Sequence, residues 1–209
     1  LLEIDGIHGL RGAGLGVGFW AGGPATGKIG RMLTIGHSNR ALADFLALLA
    51  EAGVRRLVDV RTQPASRRFP WFNRKQLAAA LAEAGMAYDW EGDDLGGRRP
   101  EAAADDRRHP ALSEAGLRAY AHHMESVAFR AAVDRLLTSP SASTAVLCAE
   151  ADPGRCHRAL IADYLEAVRN HAVSHIMGPG RQERHAVHPG ARAVGGILRY
   201  DRRHTERLL

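Results

Sequence analysis

The stretch LCAEADPGRCHR, residues 147–158, holds both cysteines of the chain together with a histidine, two acids, the turn residues Pro153 and Gly154, and two arginines. Cys148 closes an apolar run, and Cys156 stands where the next helical pattern begins. A helix N-terminus presents free N–H groups and partial positive charge, and Arg155, His157 and Arg158 add more. That setting lowers a thiol's pKa and suits an anion such as phosphate or carboxylate. In the leading reading Cys156 is a nucleophile or anion-binding thiolate and His157 or His37 an acid/base. Arg61 and Arg158 are charge clamps, Glu150 and Asp59 orienting carboxylates, and Cys148 and Ser38 further ligand contacts. Two other readings stay open. Cys148, Cys156, His157 and His37 together make four metal ligands, although seven residues between the cysteines exceeds the two to four of a zinc clip. Alternatively, Cys148 packs as a small apolar residue while Cys156 and His157 only cap and pack. A cysteine phosphatase loop is excluded, since an arginine six positions beyond the cysteine is required and Gly154 stands there from Cys148.

Two other blocks carry suitable groups. In TIGHSN, residues 34–39, Gly36 permits close backbone approach, His37 and Ser38 offer an acid/base and a hydroxyl, and Ser38 or Asn39 can cap the following helix. In VDVRTQPASRRFPWF, Asp59 and Arg61 share a strand face and either hold a ligand or pair with each other. Ser66, Arg67 and Arg68 lie beside Phe69, Trp71 and Phe72, where arginine next to aromatic rings grips a base and a phosphate or the rings pack as a lid. LGGRRP, residues 95–100, reads as a second lid.

These groups need elements to place them. Short β runs (MLTIG, VRRLVDVR, MAYDW, STAVLCAE, AVSHIM) alternate with helical patterns: 39–53 closed by Gly53, 73–85 capped by Asn73 and closed by Gly85, one or two helices over 116–139, and 156–170. Such alternation specifies an α/β fold, here a single domain with a mostly parallel sheet flanked by helices. Ligands of such sheets sit beyond the carboxyl ends of the strands. His37, Ser38, Asp59, Arg61, Cys148 and Glu150 would converge there. Beyond the fifth strand the chain, rich in histidine and arginine, reads as polar, basic and weakly ordered. The expected organisation is a disordered N-terminal extension or non-native start over 1–31, the domain over 32–200, and a basic tail over 201–209.

The N-terminal 31 residues are glycine-rich and lack periodicity, and Met32 is the first methionine. GGPATGK fits the glycine–lysine core of a phosphate loop from Gly22 to Lys28, but Ile29 stands where Ser or Thr would bind magnesium, and no strand precedes it. The net charge is +5. Three basic against two acidic residues over 1–31, and seven arginines against three acids over 179–209, leave residues 32–178 neutral. With only Lys28 and Lys75 as lysines, the arginine-rich composition fits a GC-rich coding bias. A nucleic-acid-associated module using the arginine-rich loop and tail is the alternative partner reading. Two cysteines make no disulfide scaffold, no apolar stretch reaches 18 residues, and no secretory signal pattern opens the chain. The expected location is the cytoplasm, with reduced thiols, no membrane partner and no cofactor.

The blocks TIGHSN, LVDVRTQPASRRFPWFN, Tyr88 with LGG at Leu95–Gly97, LCAEADPGRCHRALIADYL and VSHI together resemble the DUF488 family, a bacterial and archaeal group of unknown function. The resemblance runs from about Met32 to Tyr200. It implies a compact α/β domain with a parallel sheet and supplies no reaction. The functional expectation is therefore an enzyme-like domain binding a small anionic or nucleotide-like ligand at the C-terminal edge of the sheet.

Overall fold

A computed structural model of the chain describes residues 32–100, 107–138 and 143–202. The expected N-terminal extension with its Gly22–Lys28 pattern, and the tail from residue 203, lie outside the described residues. The strands are β1 (Met32–Gly36), β2 (Arg56–Asp59), β3 (Ala87–Trp90), β4 (Thr144–Cys148), β5 (Val173–Gly178), β6 (Arg181–Arg184), β7 (Ala191–Val194) and β8 (Ile197–Tyr200). The helices are α1 (Leu42–Glu51), α2 (Arg74–Glu83), α3 (Gly92–Leu95), α4 (Ala115–His123), α5 (Val127–Leu137) and α6 (His157–Ala167). Six strands form one sheet in the order β3-β2-β4-β1-β5-β6, parallel except for the antiparallel edge strand β6.

Strand alternation divides the core into two layers. Leu33, Ile35, Leu57, Ala145 and Leu147 face Phe45, Leu48 and Leu49 of α1 and Leu77 and Leu81 of α2. Met32, Val58 and Val146 face the other way, onto Tyr120 of α4, Phe129 and Val133 of α5, and Leu160, Ile161 and Tyr164 of α6. The near-continuous apolar runs of β1 and β4 follow from burial on both faces. Gly53 and Gly85 end α1 and α2 with φ of 69° and 71°, a left-handed conformation that glycine adopts without a Cβ penalty.

The register brings three strand tips side by side, with Gly36 opposite Cys148 and Asp59 opposite Leu147. The sheet therefore delivers the first, second and fourth β-to-α junctions to one edge, as the alternation requires.

Three local expectations differ. Ala41, without a side-chain cap, occupies the N-cap of α1, so neither Ser38 nor Asn39 caps it. Ser38 turns the chain at the strand tip with φ 48°, and its N–H donates to the Ala149 carbonyl. Asn73 does sit at the N-cap of α2, but its Oδ1 accepts from the Ser66 N–H instead of the helix. The polar C-terminal stretch, expected to be weakly ordered, forms β6 and the β7–β8 hairpin. Its arginines are tied down: Arg192 pairs with Asp201, Arg184 with Glu166 and Arg181 with Glu183. Among the described residues no helix is long and apolar enough to cross a membrane.

Candidate functional site

Cys148 ends β4, and the chain turns through a short 3-10 segment, Pro153–Arg155, started by Asp152, whose side chain accepts from the Gly154 N–H. Cys156 is the N-cap of α6 and His157 its first residue. The turn thus folds the second thiol back onto the first. His157 Nδ1 lies 3.6 Å from Cys156 Sγ and 3.8 Å from Cys148 Sγ, and the three ligand-type atoms lie within 4.8 Å of one another. Both thiols are buried and unpaired by a disulfide. His157 Nε2 is 3.3 Å from the Val60 carbonyl oxygen, just past β2. A carbonyl only accepts, so Nε2 carries the proton in the neutral ring and Nδ1 turns its lone pair to the sulfurs.

Charge is divided unequally between the thiols. The Cys156 S–H donating to Cys148 pulls the Cys148 pKa well down against its burial, with the Glu150 backbone adding to it. The same pairing with Cys148, with burial, drives the Cys156 thiol up. The sequence put the thiolate on Cys156 at the helix start; the structure couples the two sulfurs, so that Cys148 and Cys156 act as a pair.

The loop behind the thiols is held rigidly. Arg158 is 1% exposed, and its guanidinium donates to the carbonyls of Glu150 and Ala151. The N–H groups of His37 and Ser38 donate to the carbonyls of Cys148 and Ala149. Gly36 is required at this crossing, because a Cβ there would strike the Glu150 carbonyl and the Arg158 guanidinium. Arg158 is thus directed at main-chain carbonyls and does not line the cavity described below.

Other expected residues are placed as follows. His37 is buried, stacks on Phe72 with ring centroids 4.3 Å apart, and donates from Nδ1 to the Ser38 carbonyl. Burial, then the charge of Arg61, lowers its pKa to about 4. It does not join the thiol–imidazole triangle, so a four-ligand set including His37 is not assembled. Asp59 is fully buried, bonded by Arg61 through both carboxylate oxygens and by the Tyr88 hydroxyl at 2.8 Å. Arg61 also donates to the Phe72 carbonyl. Ser66 accepts from the Phe69 N–H at 3.0 Å and shapes its own turn. Trp71 and Phe72 pack toward Arg40 and the α1 layer.

A cavity of about 340 Å³ opens over the two thiols and His157. Arg61, Gln63, Arg98, Glu150 and Arg155 are among its walls. Arg98 donates to Gln63 at 3.0 Å and Arg155 is exposed. The LGG turn brings Gly97 so close that a Cβ would strike the His157 ring. The edge of the sheet therefore gathers Cys148, Cys156, His157, Glu150 and Arg61 and leaves His37, Ser38, Asp59, Ser66 and Arg158 outside the lining. Gln63, Arg98, Glu114, Leu117 and Arg155 also line it. Sequence reasoning placed Arg98 in a lid and Arg155 in the electrostatics of the turn without assigning either a contact.

A second polar cluster, which the sequence reading did not single out, lies on the other side of α6. Thr34 bonds His175 at 2.7 Å, His175 Nε2 meets His185 Nδ1 at 3.0 Å, and His185 Nε2 meets Asp163 at 2.8 Å. Tyr200 donates to the other Asp163 oxygen at 2.8 Å, and the His188 N–H to the first. With Asp163 ionised and both rings neutral the protons run one way: His185 donates to Asp163, His175 to His185, and Thr34 to His175. Burial, followed by the charges of His185 and Arg158, lowers the His175 pKa to about 4.

A family model described as "Domain of unknown function DUF488" matches residues 41–165. The matched span takes in the Asp59 block, the LGG turn and the whole Cys148–Arg158 segment. It is shorter than the resemblance drawn from the separate blocks, since TIGHSN and VSHI fall outside it. No curated protein and no solved structure matches the chain.

Proposed function

Because the chain belongs to the DUF488 family, whose description assigns no activity, we propose from the site alone that this is an enzyme-like domain. It binds a small anionic ligand, of carboxylate, phosphate or nucleotide type, in the cavity at the C-terminal edge of the sheet. The observation that carries this reading is the convergence of Cys148, Cys156 and His157 on a floor whose walls bear Arg98, Arg155 and Arg61. Arg61 is largely neutralised by Asp59, so Arg98 and Arg155 supply the free positive charge. The floor meets the ligand's reacting group: His157 Nδ1 takes or gives a proton, and the Cys148–Cys156 pair holds negative charge next to it. Glu150, exposed at the rim, orients water or a ligand hydroxyl. The nucleic-acid reading is weaker, because the C-terminal arginines Arg181, Arg184, Arg192 and Arg199 are each paired with an acid. Free thiols in this centre fit a reducing compartment, which is the basis for placing the protein in the cytoplasm.

The test is calorimetric titration at low salt with inorganic phosphate, acetate and adenosine monophosphate. At least one binds the wild-type chain, and R98Q/R155Q weakens it by roughly tenfold, about 1.4 kcal/mol. Absence of binding by all three probes at millimolar concentration, or equal binding by the variant, overturns the reading.

A further inference from the structure

We propose that Cys148 Sγ, Cys156 Sγ and His157 Nδ1 form a three-ligand zinc site whose fourth position opens into the cavity. It rests on the ligand reading above only in assigning that open position to the anion; a bound zinc would replace the His157 and Cys148 side chains as the group that meets it.

The first argument is metric. With Zn–S of about 2.3 Å and Zn–N of about 2.0–2.1 Å, a tetrahedral ion holds sulfur and nitrogen ligands roughly 3.6 Å apart. The two S···N separations are 3.6 and 3.8 Å, and the whole triangle fits within 4.8 Å. These separations are long for a strong hydrogen bond and match the edges of a coordination polyhedron.

The second argument is the orientation of the imidazole. A metal-bound histidine usually donates its other ring N–H to a carboxylate or backbone carbonyl, which fixes the tautomer. His157 does this toward Val60 and leaves Nδ1 facing both sulfurs. No proton transfer or side-chain movement is needed to present the lone pair.

The third argument is the donor set. Two thiolates and an imidazole select zinc over the hard cations, which prefer oxygen, and two thiolates neutralise its charge where burial is high. The unusual spacing is explained by the fold. A zinc clip takes both cysteines from one tight turn, whereas here one sulfur comes from a strand end and the other from the following helix N-cap. The intervening turn is held from behind by Arg158. Three protein ligands and one open position are the pattern of catalytic zinc, and the open position faces Arg98, Arg155 and Glu150. A phosphate or carboxylate oxygen, or a water, completes the tetrahedron.

The experiment is cobalt substitution of the full chain, prepared reduced and stripped with chelator, with zinc content of the untreated protein measured in parallel. One zinc per chain, and with cobalt a thiolate charge-transfer band with intense tetrahedral d–d bands, are expected. C148A, C156A and H157A each lower zinc affinity by more than about a hundredfold. The wild-type spectrum needs no variant to fold. If the reduced wild-type chain gives no thiolate–cobalt band and holds no zinc, the metal site is refuted, while phosphate binding in the calorimeter would leave the ligand reading standing. If cobalt binds and inorganic phosphate shifts its d–d bands, the open position is confirmed. If cobalt binds and neither phosphate, acetate nor adenosine monophosphate alters the spectrum or gives heat, the anion assignment falls and the metal site stands. Recovery of Cys148 and Cys156 as a disulfide that resists reduction in the folded chain also refutes the site.

Discussion

The two polar clusters flanking α6 use similar residues to opposite ends. In the Thr34–His175–His185–Asp163–Tyr200 network, every donor meets an acceptor at 2.7–3.0 Å. Over the thiols, one imidazole nitrogen faces two sulfurs at 3.6 and 3.8 Å, beneath an open cavity. A saturated buried network has no bonding capacity left for a ligand, and it fixes the elements that share it: β1, β5, α6 and β8. The His157 Nδ1 lone pair, facing sulfurs at those separations, keeps capacity for something else. Residue type alone does not distinguish a structural histidine from a functional one; what the ring's two nitrogens already touch does.

That contrast breaks first at Asp163. D163A orphans the donors of His185, His188 and Tyr200 in the core and is expected to cost about 3–5 kcal/mol in a urea unfolding titration. A loss below about 1 kcal/mol would mean that the network is not saturated in solution. The next effect is pH dependence. His37, His109 and His175 all have folded pKa values lowered to about 4, with burial the leading cause. Protonation of these rings therefore favours the unfolded chain. Their contribution is complete above the unfolded value near 6.5 and lost as pH falls toward 4. Between pH 7 and pH 5 the unfolding free energy is expected to drop by up to about 2 kcal/mol per ring, measured as net proton uptake on unfolding. A flat profile over this window would place the rings in water.

Substitutions on the cavity side should be mild for folding. C148A or C156A is expected to cost about 1 kcal/mol, while abolishing zinc uptake. A loss as large as that of D163A would make the thiols structural. Smallest is E150Q, at the exposed rim, with less than about 0.5 kcal/mol in stability. Its effect should be confined to ligand binding.

The sequence made the sheet legible because buried parallel strands are written as apolar runs: MLTIG and TAVLC appear almost to the residue as β1 and β4. It also placed the thiols, His157 and the strand tips at one edge, since chain alternation alone sets that. What it could not reveal was direction. Asp59 and Arg61 looked like ligand groups and are bonded mainly to each other; His37 follows a strand tip yet turns onto Phe72. Those choices depend on neighbours distant in sequence. β6 was missed because all four of its residues are exposed and carry no alternation. The β7–β8 hairpin did leave a signal: the pair Gly195-Gly196, with φ of 57° and 81°, is a two-residue turn between apolar residues.

The acceptor that orients His157 belongs to the main chain of Val60. A codon change at position 60 can replace the isopropyl group but cannot delete the peptide oxygen. The ring's bearing on the two sulfurs is therefore insulated from point substitution at its own partner, and only displacement of the strand backbone would unsettle it.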